Sequence, residues 1–183
     1  MDILTLKRYF IDQLIDIGKA KKSNSKPQNS FTEFFINNRP LSALLDDFYA
    51  SKHFITLKNN IGVLGSKRNT ALEIIKVKQL LGKTINKADF DELMKELGRT
   101  IDKNTIKDII DSLTDELAEP GIMIYCCARC GDYQCGGVMV EMVIDEHYIK
   151  WTFGDAERNL VFVFDKYAYL GTIRSYLDKI KTS

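Results

Sequence analysis

At Pro120-Gly121 the spacing of apolar residues switches from one period to another, and this restricts the fold more than any other feature of the chain. Downstream, "IMIYCC" is a run of strand-forming residues. "GVMVEMVI" then alternates, with Val138, Val140, Met142 and Ile144 on one side and Met139, Glu141 and Val143 on the other. Asp145-Glu146 supplies a tight turn and "HYIKWTF" a return strand. "NLVFVF" (159–164) is a further strand, after which Asp165 caps a last helix. That helix turns Tyr169, Ile173, Tyr176 or Leu177, and Ile180 inward. The C-terminal half therefore reads as an antiparallel meander with a covering helix.

Upstream of Pro120 the period is helical. "KTINKADFDELMKELG" and "RTIDKNTIKDIIDSLT" align at an offset of 16 residues. Each begins with polar helix-start residues, and Phe90, Leu93, Met94 and Leu97 match Ile106, Ile109, Ile110 and Leu113. The spacing predicts a helical hairpin over 84–118, by duplication or by chance similarity of two amphipathic helices. A helix is also predicted over 68–81, with Leu72, Ile75, Gln79 and Leu80 on or near its buried face and Gly82 ending it. At the N-terminus Leu6, Phe10, Leu14 and Ile17, widened by Ile3 and Ile11, predict an amphipathic helix over 3–19. "FTEFFI" (31–36) and "HFITL" (53–57) read as short strands. Asn37-Asn38 tolerate left-handed backbone, and Pro40 opens a helix through "LSALLDDFYA". "KKSNSKPQNS" (21–30) and "NNIGVLGS" read as connections. The expected class is α+β in one domain, 1–183: an antiparallel sheet, mostly C-terminal, packed with helices on one side, with 84–118 as an inserted helical hairpin.

A chain of 183 residues buries enough surface to hold a core without staples. Its 26 Lys and Arg against 25 Asp and Glu argue against a nucleic-acid binder, which would gather a basic excess on one face. The lysine-rich "KAKKSNSK" (19–26) reads as a solvated linker. Charges at Asp2, Lys7, Arg8, Asp12 and Asp16 interrupt any apolar run needed for a secretion signal or a membrane span. A cytoplasmic protein with reduced thiols is expected.

The four cysteines of the chain fall within ten residues: Cys126, Cys127, Cys130 and Cys135. Cys127-x2-Cys130 is half of a zinc-ribbon clamp, since two thiolates across a turn can meet one ion at about 2.3 Å. Gly131 supplies the turn, Cys135 is a third ligand, and Cys126 or His147 a fourth. The second Cys-x2-Cys that would complete such a site is missing. Dithiol redox chemistry wants the motif at a helix N-terminus, whereas here it lies between strands. A third reading is a structured hairpin loop, with glycines at positive φ and cysteines as small buried hydrophobes.

The run C-x-x-C-G-D-x-x-C-G-G, followed after a turn by W-x-F-G, resembles a family of small uncharacterised bacterial proteins. The matching positions are Cys127, Cys130, Gly131, Asp132, Cys135, Gly136, Trp151, Phe153 and Gly154, within about residues 120–170. The similarity extends to "FFINNRPLSALL" and "NIGVLGS", with 84–118 as an addition. Proteins of this kind are at home among toxin–immunity loci. The resemblance thus implies a cytoplasmic protein that neutralises a delivered toxin, and it carries over no catalytic residue.

Other chemistry has thin support. His53 and His147 are the two histidines, and neither lies in a nucleophile signature. "NIGVLGSKRNT" lacks the spacing of a phosphate-binding loop. "DFDELMKEL" lacks the alternating ligands of a calcium loop, so Asp89, Asp91 and Glu92 read as first-turn acids or as a charged face toward a basic partner. Tyr133, Tyr148 and Trp151 gather near the cysteine hairpin and are candidate contact residues, with core filling as the other reading. The expectation is a non-enzymatic cytoplasmic binding protein, an immunity protein acting on a cognate protein toxin. The alternative is a zinc-binding accessory or redox protein using Cys127, Cys130 and Cys135.

Overall fold

The change of period at Pro120 corresponds to a change from helices to strands. The computed structural model describes residues 1–10, 30–49, 60–65, 70–99, 102–127 and 137–181. Within them β1 (Leu4–Phe10), β2 (Ser30–Ile36) and β3 (Arg39–Pro40) form a three-stranded antiparallel sheet in that order. β4 (Asn60–Gly62), β5 (Ile122–Cys127), β6 (Val138–Ile144), β7 (Tyr148–Gly154) and β8 (Asn159–Asp165) form a five-stranded antiparallel sheet, also in sequence order. The helices are α1 (Leu41–Tyr49), α2 (Thr70–Leu80), α3 (Lys87–Leu97), α4 (Lys103–Ala118) and α5 (Lys166–Lys181). The class is α+β, with most of the larger sheet and its covering helix in the C-terminal half.

The N-terminal helix predicted over 3–19 is corrected: residues 4–10 are a strand, paired along its length with β2 from Leu4 opposite Ile36 to Phe10 opposite Ser30. Residues 11–19, and the strand predicted at 53–57, lie outside the described residues. Pro40 ends β3, so α1 starts one residue later than expected. Asn37 and Asn38 do turn the chain left-handed, at φ 51° and 65°.

Among the described residues, backbone N–H groups join the two sheets at two places. Asp2 donates its N–H to Val163 O at 2.7 Å, and its carboxylate accepts the Val163 N–H at 2.8 Å, which ties the start of β1 to β8. On the other side Thr32 N–H donates to Leu64 O at 2.7 Å, just past β4. The close approach there requires Gly62, where a Cβ would lie 2.3 Å from the Thr32 carbonyl oxygen. The core between the sheets and helices centres on Trp151, Phe34, Phe164, Tyr169 and Ile173, all essentially unexposed.

The 16-residue repeat marks two helices with matching starts. Asn86 and Asp102, equivalent in the repeat, are the N-caps of α3 and α4. Asn86 forms a reciprocal capping box with Asp89, and Asp102 accepts from the Asn104 and Thr105 N–H groups. Leu93 and Leu97 of α3 and Ile106 and Leu113 of α4 close on Ala71 and Ile75 of α2. Val77 and Leu80 at the other end of the same helix, and Leu81 just past it, belong to the sheet core. α2 is therefore a shared wall, buried on more than one side. Among the described residues no helix is long and apolar enough to cross a membrane.

Candidate functional site

Proline has no backbone N–H, and Pro120 stands where the β5–β6 ladder would otherwise continue. Asp145 N–H donates to Tyr148 O at 2.9 Å, making that pair a hydrogen-bonded one at the β6–β7 turn. Antiparallel ladders alternate, so positions 141 and 143 also bond toward β7, while 140, 142 and 144 turn their N–H and C=O toward β5. β5 begins at Ile122, opposite Val140. The next partner position, opposite 142, is Pro120. Met142 and Ile144 thus extend past the end of β5, with no strand on that side among the described residues.

This open edge borders a groove of about 410 Å³. α2 contributes Gln79, and the left-handed turn at Gly82 (φ 65°) leads to Lys83 and Ile85. Phe90 comes from α3, Leu117 from α4, and Pro120, Ile122 and Met142 form the sheet side. Glu119 and Lys83 are exposed at the rim, one of each charge. The Gln79 side-chain oxygen is buried, with no donor to it among the described residues. The walls mix apolar side chains with Gln79, Lys83 and Glu119.

Buried polar groups elsewhere hold elements together. Tyr125 of β5 donates its hydroxyl to Glu33 of β2, both residues being buried. Tyr176 of α5 donates to Glu73 of α2 at 2.5 Å, and the same carboxylate oxygen accepts the Gly65 N–H at 2.6 Å. Lys76 of α2 pairs with Glu116 of α4 in full burial. Sequence reading passed over these groups, although two of them show as a charge inside an apolar run: Glu33 in "FTEFFI" and Lys76 in "EIIKVKQLL".

Burial raises the Glu33 carboxyl above its ordinary 4.5, and the Tyr125 hydrogen bond pulls it partway back. Burial, then the neighbouring Glu33, raises Tyr125. A carboxyl with a raised folded-state pKa keeps its proton longer in the fold than in the open chain. Its contribution to stability is complete below 4.5 and is lost as pH rises through the folded value. Glu33→Gln, which still accepts from Tyr125, should therefore gain stability relative to the parent as pH climbs above that point. Urea midpoints of both proteins measured across pH 4–8 check this, and parallel curves would contradict it.

Those predicted site residues that are described are dispersed. Cys126 is buried on β5, close enough to Lys76 to act on its charge. The Cys127 side chain, Cys130, Cys135 and Tyr133 lie outside the described residues. Among the described residues no group of His, Cys, Asp and Glu is arranged to hold a metal ion. Trp151 has no exposed surface and belongs to the core, so its ring is not an outer contact. Tyr148 is half-buried at the start of β7. Asp89 caps α3 and pairs with Lys78. Asp91 is exposed, and the exposed Glu92 lies 3.6 Å from Lys95. No protein-family model, curated protein or solved structure matches the chain.

Proposed function

We propose that this is a non-enzymatic binding protein that acts by direct contact with another protein, and specifically a cytoplasmic bacterial immunity protein that neutralises a cognate toxin. The observation that carries the reading is the outer face of β6, β7 and β8. Strand register places Glu141, Thr152 and Val161 in one row and Val143, Lys150 and Val163 in the next. Asp165 and Tyr148 adjoin them at the hairpin end. Val143 is 47% exposed and Val161 42%. A solvated sheet face ordinarily alternates to polar residues, whereas this one carries valines between opposite charges. Apolar centres with a charged rim suit a protein partner. The cysteine-hairpin resemblance supports the choice of a toxin as that partner.

The test is a binding assay with the purified product of the adjacent upstream gene. A stable complex is expected, weakened about tenfold or more by Val143→Asp with Val161→Asp, since a charge would be buried at the centre of the contact. Circular dichroism checks that the variant is folded. No complex with the unaltered chain would sink the immunity reading.

A further inference from the structure

We propose that the α3–α4 hairpin is a lid that swings away from α2 as one unit while the sheets, α2 and α5 stay folded. The inference goes beyond the contact reading and does not depend on it. Its first support is the hinge. The chain leaves α2 through the left-handed turn at Gly82 and runs without helix or strand over 83–86, where Asn86 caps α3. It returns from α4 through Glu119, Pro120 and Gly121 to the start of β5. Lys83 and Glu119 line the same groove, so the two connections lie side by side. Rotation about a pair of adjacent connections moves the hairpin without breaking a ladder on either side.

The second support is where the hairpin is held. Leu93, Leu97, Ile106 and Leu113 pack on Ala71 and Ile75 in a cluster separate from the sheet core. Toward the sheet, among the described residues, the groove lies between Phe90 and Leu117 on one side and Ile122 and Met142 on the other. Three polar tethers that reach the hairpin start on α2: Lys76 to Glu116, Lys78 to Asp89, and the Ala71 N–H to a Glu96 carboxylate oxygen at 2.7 Å. When the lid opens, water takes up the charges of the buried pair, which offsets much of the attraction that is lost. Separation therefore costs the small cluster and not the whole core, as in the opening of other supersecondary units. The open form bares Ala71, Ile75 and the Lys76 ammonium, all buried in the closed one. α2 stays behind, because Val77 and Leu80 are set in the sheet core and Glu73 accepts from Tyr176 of α5. The boundary of the moving unit thus falls at Gly82, between two helices in contact.

Native-state hydrogen exchange of the whole ¹⁵N-labelled chain, in rising urea below the unfolding transition, tests this. The central amides of α3 and α4 should share one opening with a common urea slope, smaller than that of global unfolding. Corrected for intrinsic rates, they should exchange about tenfold or more faster than the amides of β7. The α2 amides from Ile75 to Leu80 should keep pace with β7. Ile149→Val trims the sheet core at a fully buried position and should speed β7 exchange roughly three- to tenfold. It should leave α3 and α4 unchanged, because the open and closed forms both lose the same contact. The change is mild, and the wild-type data decide the matter without it.

One shared opening for α3, α4 and β7 overturns the proposal, because the molecule then opens only as a whole. Scattered rates in α3 and α4 with no urea dependence also overturn it, showing local fraying in place of a lid. So does α2 exchanging together with the hairpin, or an Ile149→Val effect of equal size on the hairpin and on β7.

Discussion

Glu116→Leu is expected to lower unfolding stability by about 3–5 kcal/mol, because it leaves the Lys76 ammonium buried without its counter-charge. The side chains are 3% and 5% exposed, so water does not take over the role of the lost partner. Burial lowers the Lys76 pKa, and Glu116 is the principal group holding it up. Lys76→Met alone should cost a similar amount, leaving the carboxylate stranded instead. Lys76→Met with Glu116→Leu should restore stability to within about 1 kcal/mol of the parent, or exceed it, since two apolar chains of similar volume avoid desolvating two charges. Urea unfolding of the four proteins gives the coupling energy directly. Single variants costing less than about 1 kcal/mol would mean that water reaches the pair.

Trp151→Ala should cost about 3–5 kcal/mol and lower Tm by about 10 °C in a thermal melt. The indole lies edge-on to Phe34, Phe164 and Tyr169, with ring centres 5.7, 5.3 and 5.8 Å away. It therefore joins β2, β7, β8 and α5, and no neighbour can collapse into the space without moving a sheet. Trp151→Phe should cost distinctly less, because it keeps an aromatic ring in the same space and leaves a much smaller cavity. If alanine were tolerated with an unchanged melt, the aromatic cluster could not be the centre of the core. A large loss also separates this residue from the outer-face valines, whose substitution should affect binding and leave the melt nearly unchanged.

The sequence was most legible where local chemistry and tertiary demand agree. Asn86 and Asp102 cap their helices from equivalent places in the repeat, and Asp165 does so for α5 through the Ala168 N–H at 2.8 Å. The alternation after Pro120 reports a sheet with one face buried. At residues 4–10 the same reasoning misled, for a definite reason. Leu6, Phe10 and Leu14 are four apart, and four is a multiple of two, so the pattern suits a strand as well as a helix. The β-forming Thr5 and Tyr9 and the full-length partner β2 decide it. The groove was not legible because its walls come from α2, α3, α4 and two strands, and its open edge follows from a register. Trp151 shows the converse: an aromatic residue beside a conspicuous motif drew attention as a contact, whereas its position on the inward side of β7 makes it core.

The clasp between Asp2 and Val163 bears on the order in which the molecule can assemble. The partners are 161 positions apart, so closing the contact early would carry the entropy of a very long loop. β1 and β2 can pair beforehand, but this seam must wait until the β6–β7–β8 meander exists to receive it. Until then the outer edge of the last strand stands uncapped, and the interval before the seam closes is when neighbouring copies could join edge to edge.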